Sequence, residues 1–431
     1  MDETYDVVVI GAGLAGLTAA ATAAGQGCSV LVLDRQAPGG RASTDEVGRF
    51  RFNRGAHALY RRTPARAILE GLGVRVATHA PLLKGAQGRL GDRVGVLPVG
   101  PPTLARTPLL GIREKAKAAR FLAGAPRWRP DELSGMTVSE WFDDQGLDGR
   151  LRQLVEMLTR LTSYVVDFDR VSADVVASQM QMGLAESVDY LSDGWASLVD
   201  GLADAACRQG AQIDPPPARA DAVVPEGTRV RVEVGPGERT LSARSVVLAS
   251  GPPEVNAGLL PEPPPEWSRL GPALRTACLG LGLASPPPMG YLLGIDRPLY
   301  LAQHGPPGRM APPGGAVVET MLYLGFDDDP TPEEARVALT DHARAAGIDP
   351  EEAEESRYLH RMVTCGASPT PETGGMQGRP SVGTGLEGVF VAGDWVGPTG
   401  HIADAAVLSG DAAGRAAAGE TRHGQVAHLR A

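Results

Sequence analysis

Gly11, Gly13 and Gly16 stand in a G-x-G-x-x-G array, and Asp34 follows Gly16 by 18 residues. That spacing suits one task, holding two nucleotides joined through a pyrophosphate. Gly11 permits a tight turn, Gly13 lets the backbone approach the phosphates, and Gly16 lets a helix pack on a strand. A carboxylate at Asp34 can accept hydrogen bonds from a ribose. Candidates for proton chemistry are fewer. His57 and Tyr60 fall within GAHALY, and His401 within GDWVGPTGHIAD. A histidine titrating near neutrality can take a proton from an ammonium or a hydroxyl. Asp404 reads instead as a cap or a salt-bridge residue.

These residues need a strand, a helix and a second strand to place them. Asp6 to Ile10 predicts a buried parallel strand, Leu14 to Ala24 an alanine-rich helix, and Ser29 to Leu33 a second buried strand ending at Asp34. The helix N-terminus then presents free N–H groups and a partial positive charge to the pyrophosphate. Gly39-Gly40-Arg41 predicts a turn whose arginine bonds phosphate oxygens bidentately. Toward the other end, Val389 to Ala392 predicts a strand, Gly393-Asp394 a tight turn, and His401 to Ala417 a helix of small residues. Aimed N-terminus first at an isoalloxazine ring, that helix would stabilise the negative charge of a reduced flavin. Asp394 would accept bonds from ribityl hydroxyls.

Bulk properties narrow the field. A chain of 431 residues exceeds one comfortable core, so two domains are expected. No apolar run is long enough to span a bilayer. Met1-Asp2-Glu3 is acidic and the first apolar run is a strand, so a cytoplasmic location is expected. A formal charge of −10 argues against nucleic acid as a partner. Cys28, Cys207, Cys278 and Cys365 are too widely separated for a redox pair or a zinc site, and no metal is expected.

Taken together, Gly11/Gly13/Gly16, Asp34, Gly39-Gly40-Arg41, Ala392-Gly393-Asp394 and Ser409-Gly410-Asp411-Ala412-Ala413 resemble the flavin-dependent amine oxidase and phytoene desaturase superfamily. Two stretches between them, YLSDGWASLVDGLADAACRQGAQI and ADAVVPEGTRVRVEV … RSVVLASGPPEV, resemble the glycine–helix–strand and the closing hairpin of its flavin domain. The resemblance implies FAD rather than NAD, bound without a covalent link, since no cysteine lies in the terminal flavin loop. It implies cofactor contacts from Gly11, Gly13, Ala15 and Gly16, from Asp34 and Arg35, from Gly40 and Arg41, from Val224 (or Val223) beside adenine, and from Gly393, Asp394, His401 and Ile402. His57, Tyr60 and His401 become the candidate catalytic residues.

The expected fold class is α/β: a discontinuous Rossmann-like FAD-binding domain (1–75, 190–255 and 375–420) with an inserted α+β substrate domain carrying a helical cap (76–189 and 256–374). Residues 421–431 predict a flexible tail. In the cap, Leu151, Leu154, Val155, Leu158 and Leu161 form one helical stripe, with Thr137 or Ser139 as caps nearby. Thr331-Pro332-Glu333-Glu334 starts a further helix. Residues 106–129 hold seven basic residues against Glu114, with Leu110, Phe121, Leu122 and Trp128 between them. They read either as a solvated cap helix or as a peripheral membrane patch admitting a lipophilic substrate. FDDDP, Asp327 to Asp329, reads as a polar turn.

Many amine oxidases of this superfamily place a lysine opposite flavin N5. The chain has only Lys84, Lys115 and Lys117, and none matches that position. Aromatic residues make up 5%, which leaves little for an aromatic amine cage. The leading expectation is therefore an FAD-dependent dehydrogenase or desaturase that abstracts hydride from a small, largely apolar substrate and passes electrons to oxygen or a quinone. An amine or amino-acid oxidase and a redox-neutral flavin isomerase are the alternatives. Oligomeric state is left open.

Overall fold

In the strand Glu3–Ile10 the last four residues, Val7 to Ile10, are all buried, as a strand covered on both faces requires. The computed structural model describes residues 3–428 except 99, 236 and 238. Glu3–Ile10 lies between Val30–Leu33 and Arg239–Leu248, parallel to both. Gln212–Ile213 extends the sheet beyond Val30–Leu33. Arg239–Leu248 is long enough to serve two further neighbours. Its first half pairs antiparallel with Arg229–Val234, and its last three residues pair parallel with Val389–Val391. Both ends and the middle of the chain thus meet in one sheet of seven strands.

The helix Leu14–Gly25 buries every residue from Ala15 to Ala24. It packs against Ala196–Arg208 and against the final helix, Ala403–His428. Small residues make the second contact close. A Cβ on Gly410 would lie within 3.0 Å of the Ala15 carbonyl, and one on Gly414 within 3.0 Å of the Ala19 carbonyl. Glycine at these two positions therefore sets how near the helices come. Where the sequence predicts a tail from 421, the helix continues to His428; residues 429–431 lie outside the described residues.

A second sheet of seven strands runs in the order Glu355–Cys365, Leu274–Leu283, Ala316–Leu324, Leu299–Gly305, Tyr291–Gly294, Gln87–Leu90 and Arg93–Val96. All its pairs are antiparallel except Tyr291–Gly294 with Gln87–Leu90. The helix Pro332–Ala345 covers one face through Ala335, Leu339 and Ala343. Its start is local chemistry: the Thr331 hydroxyl accepts from Glu334 N–H while the Glu334 carboxylate accepts from Thr331 N–H.

Over the other face sit the helices of residues 101–186. Thr137 caps Val138–Asp144 through a reciprocal pair with Glu140. The longer helix Gly149–Ser163 splits its apolar stripe between two surroundings. Leu151 and Val155 are buried in the core, while Leu158 and Leu161 are half-buried and, with the buried Leu154, line a cavity. The FDDDP turn is held by ion pairs, Asp327 with Arg170 and Asp329 with Arg361. No cluster of possible metal ligands occurs among the described residues.

Candidate active site

Two glycine-rich turns lie side by side at the carboxyl end of the first sheet. Gly11, at φ 113, and Gly16 are closed in by protein: a Cβ on Gly11 would come within 3.0 Å of the Ala249 carbonyl, and one on Gly16 within 3.0 Å of the Gly11 carbonyl. Gly13 is different. Its missing Cβ points into open space, with no atom within 4 Å. Gly40, at φ 54, faces it, 3.9 Å from the Gly13 Cα to where a Gly40 Cβ would be, and Gly39 N–H donates to the Ala12 carbonyl at 2.8 Å.

Gly13 is also the N-cap of the helix Leu14–Gly25, and no side chain caps its first turn. The N–H groups of that turn, Ala15 included, are left for an anion. A backbone-lined gap at an uncapped helix N-terminus fits a pyrophosphate. The Asp34 carboxylate closes the gap from the side: it accepts from Ala12 N–H at 2.7 Å and from Gln36 N–H at 2.9 Å, and each oxygen keeps a lone pair for a ribose hydroxyl. Arg35 is exposed beside it. Of the two valines expected near adenine, Val223 is in the core and Val224 keeps accessible surface.

Arg41 and Asp394 stand differently from the sequence expectation. Instead of pointing separately at phosphate and ribityl oxygens, they bind each other. Arg41 Nη1 and Nη2 donate to Asp394 Oδ2 and Oδ1 at 2.6 and 3.0 Å. Gly366 N–H also donates to Asp394 Oδ2, at 3.0 Å. Burial by itself would raise the Asp394 carboxyl, and the Arg41 charge and hydrogen bonds outweigh it and hold the group below its ordinary value. The adjoining Gly393 is pinned to the final helix, its N–H donating to Ser409 Oγ and its carbonyl accepting from the same hydroxyl. That exchange gives Ser409 a role that its sequence context did not disclose.

Beyond the cradle lies a cavity of about 720 Å³. Six of the chain's eight tyrosines line it: Tyr60, Tyr164, Tyr190, Tyr291, Tyr300 and Tyr323. Overall aromatic content was a poor guide, because the few aromatics converge on one place. Tyr164 donates to the Ala56 carbonyl at 2.5 Å, and the Tyr190 and Tyr300 hydroxyls are 3.1 Å apart. Burial raises every one of these phenols, Tyr190 to about 12, so they act as neutral hydrogen-bonding groups. No lysine, arginine or glutamate is among the described lining residues.

The three residues expected to do proton chemistry all reach this wall. His57 packs on Trp195, with ring centroids 5.0 Å apart, and its Nδ1 is 2.8 Å from the Gly55 carbonyl. Burial pulls its pKa to about 4 against that carbonyl, and the Arg41 charge adds to the depression. Tyr60 is raised by burial and then by the charge of Asp404. His401 is more committed. Its Nε2 is 2.9 Å from the Ser163 carbonyl and its Nδ1 is 3.4 Å from Arg379 Nη2, so the tautomer that satisfies both neighbours has no lone pair to spare.

Backbone strain concentrates at the same wall. Of the four non-glycine residues at positive φ among the described residues, three line the cavity: Tyr164 (φ 63), Ser187 (φ 58) and Ile402 (φ 50). A β-branched residue there costs on the order of 1–3 kcal/mol and persists only where its surroundings over-determine it. Such strain is typical of sites rather than scaffolding.

Asp404, read from the sequence as a cap or a salt-bridge residue, makes no ion pair among the described residues. It is 5% exposed, accepts a 3.3 Å hydrogen bond from Thr63, and is the cavity's one carboxylate among the described residues. Burial raises its pKa from 3.8 to about 6. An acid whose folded pKa is raised costs stability once ionised: the cost is absent below the unfolded value and complete above the folded one. Asp404→Asn is therefore expected to stabilise the protein above pH 6, by up to about 3 kcal/mol. The gain should close as pH falls from 6 toward 4, which urea unfolding across that range would register.

A family model described as flavin-containing amine oxidoreductase matches residues 14–418. Among solved structures, an oxidoreductase from Methanosarcina mazei is 17% identical with a TM-score of 0.76, over 94% of this chain and 99% of that one. A putative protoporphyrinogen oxidase from Exiguobacterium sp. 255-15 is 19% identical with a TM-score of 0.72, over 97% and 99%. The cyclohexylamine oxidase of Brevibacterium oxydans IH-35A is 19% identical with a TM-score of 0.70, over 98% and 100%. At such identities the likeness speaks for the fold. No curated protein sequence matches the chain.

Proposed function

The chain belongs to the flavin-containing amine oxidoreductase family and is an FAD-dependent oxidoreductase; from that premise we propose that it is a dehydrogenase or desaturase of a bulky, largely apolar substrate. Bound FAD supplies a two-electron acceptor for hydride at N5. The observation that carries the substrate reading is the cavity wall: leucines, methionines and neutral phenols, a single carboxylate, and no cation among the described lining residues. An apolar molecule gains by burial there. The carboxylate of an amino acid would find no cationic partner among the described lining residues, which disfavours an amino-acid oxidase.

In this reading residues 1–75, 190–255 and 375–420 form a Rossmann-like unit that holds FAD, and residues 76–189 and 256–374 build an α+β substrate unit with the helical cap. Val188–Leu191 is the seam, since it pairs with both Leu59–Tyr60 and Thr78–His79. Gly13, Ala15 and Gly40 cradle the pyrophosphate, Asp34 the ribose, and Val224 the adenine. Arg41, Gly393 and Asp394 shape the loop at the flavin. His57, neutral at pH 7, takes the proton that substrate oxidation leaves behind, and Tyr60 with the Tyr190–Tyr300 pair orients a polar group of the substrate. Oxygen or a quinone reoxidises the flavin. Peripheral contact with a membrane through 106–129 suits the same substrate class.

One observation favours a second reading. Asp404 can pair with an ammonium, and two proteins of similar fold are a putrescine oxidase and a cyclohexylamine oxidase. The test is anaerobic titration of the yellow holoenzyme with isoprenoid, polycyclic and amine panels. Bleaching of the flavin by the apolar panels is expected. Bleaching by amines alone, with hydrogen peroxide formed on admitting air, overturns the first reading for the second. A product of unchanged mass, with no acceptor consumed, points to an isomerase.

A further inference from the structure

The cavity reaches the surface between two lips whose composition differs from the rest of the molecule. One lip is the helix Ile112–Gly124, which buries Ala118 and Phe121 and turns Ala119, Leu122 and Ala123 to the cavity. The other is the loop Pro81 to Lys84, joined by Leu184 at the end of the helix Ala173–Glu186; Pro81, Leu83 and Leu184 line the opening. Large apolar side chains stand out around it: Ile112 is 88% exposed, Leu184 54%, Leu82 42% and Leu83 41%. Four of the eight exposed large apolar residues among the described residues are therefore on these two segments.

Charge follows the same pattern. The protein carries a net charge of −10, yet all three of its lysines lie on these lips, Lys84 on the loop and Lys115 and Lys117 on the helix. Lys115 donates to the Ala105 carbonyl and Lys117 pairs with Asp148. Lys84, Arg113 and Arg120 are exposed, and none of the described ion pairs involves them. Glu114, the one acid on the helix, is spent on the N–H of Gly111.

The geometry points to this mouth as a docking face for an anionic lipid bilayer, from which an apolar substrate passes into the cavity without crossing water. The inference rests on the apolar-substrate reading. Three features separate a bilayer from a protein partner. The exposed apolar side chains adjoin the cavity lining instead of standing apart from it: Leu83 and Leu184 line the cavity, Leu82 is next to Leu83, and Ile112 is on the helix of Ala119, Leu122 and Ala123. The cations flank them as interfacial helices require. The apolar surface is also continuous with the cavity wall. Cations near an anionic surface are attracted to it, so the charge and the exposed apolar side chains act together.

The test uses the FAD-loaded full chain and sedimentation with vesicles, either of phosphatidylcholine alone or of phosphatidylcholine with phosphatidylglycerol. Binding to the anionic vesicles is expected, weakened by raised salt. A double reversal, Arg113→Glu with Arg120→Glu, should weaken it roughly tenfold or more. Ile112→Ser with Leu82→Ser should weaken it with FAD content unchanged. No sedimentation with anionic vesicles at low salt overturns the proposal, as does binding that neither double variant alters, or retention on an acidic protein in place of vesicles. The substrate reading is judged separately by flavin bleaching in detergent. Bleaching by apolar compounds without vesicle binding sinks only the docking face, and vesicle binding without such bleaching sinks only the substrate reading.

Discussion

Gly13→Val is expected to give a folded but colourless protein, whereas Gly16→Val is expected not to fold at all. The two glycines are three residues apart, and the motif alone does not distinguish them. Gly13 sits at φ −83 and ψ −174, a conformation open to any residue, and nothing in the protein approaches its missing Cβ within 4 Å. Two valine methyls there fill only the space left for the pyrophosphate. FAD affinity should fall by at least ~100-fold, or about 2.7 kcal/mol, while the apoprotein keeps the unfolding midpoint of wild-type apoprotein.

At Gly16 the added atom would overlap the Gly11 carbonyl, and the helix cannot retreat because Gly410 and Gly414 already bring the final helix against its other side. Overpacking against backbone on two sides costs more than ~3 kcal/mol. Flavin absorbance per mole of protein and a melting curve of the apo form separate the two outcomes. Stoichiometric FAD on Gly13→Val, or loss of its cooperative unfolding, would refute the cradle.

What could be read from the sequence was what the chain encodes locally. The G-x-G-x-x-G turn, the Thr331 and Thr137 caps and the strand at Val7 to Ile10 each depend on residues within a few positions, so their spacing carries the structure. The Arg41–Asp394 pair could not be read that way. Its partners are 353 residues apart, and each residue type suits a ligand role equally well. His401 poses the same difficulty: its ring is occupied by Ser163, 238 residues away. The tyrosine wall was hidden for another reason. Its members come from separate strands and helices, so a composition average dilutes them and no window of sequence contains them. Asp404 looked like a cap because it lies in the first turn of a helix; only the fold shows that the turn faces a cavity.

Arg41→Ala carries the second large effect. It leaves Asp394 buried, 1% exposed, with one N–H donor from Gly366, no ion-pair partner among the described residues, and only the more distant charge of Arg379 to favour its ionised form. Removing one member of a buried pair typically costs 3–5 kcal/mol. Arg41 keeps about a third of its side chain in solvent, so about 3 kcal/mol is the expected loss at pH 7. The sign of the pH dependence is distinctive. In the wild type, Asp394 is held low, so its contribution is present above the ordinary carboxylate range and is lost only as pH falls through the lowered value. Without Arg41, burial dominates and raises the same group, so the deficit should shrink as pH falls toward 4 and the carboxyl protonates. Asp394→Asn in the Arg41→Ala background removes the stranded charge, and most of the lost stability should return. A surface arginine that only touches phosphate predicts the opposite pattern: FAD affinity lost, apoprotein stability unchanged at every pH, and no rescue by the second substitution. Urea unfolding of the three apoproteins at pH 4.5 and 7.5 decides between them.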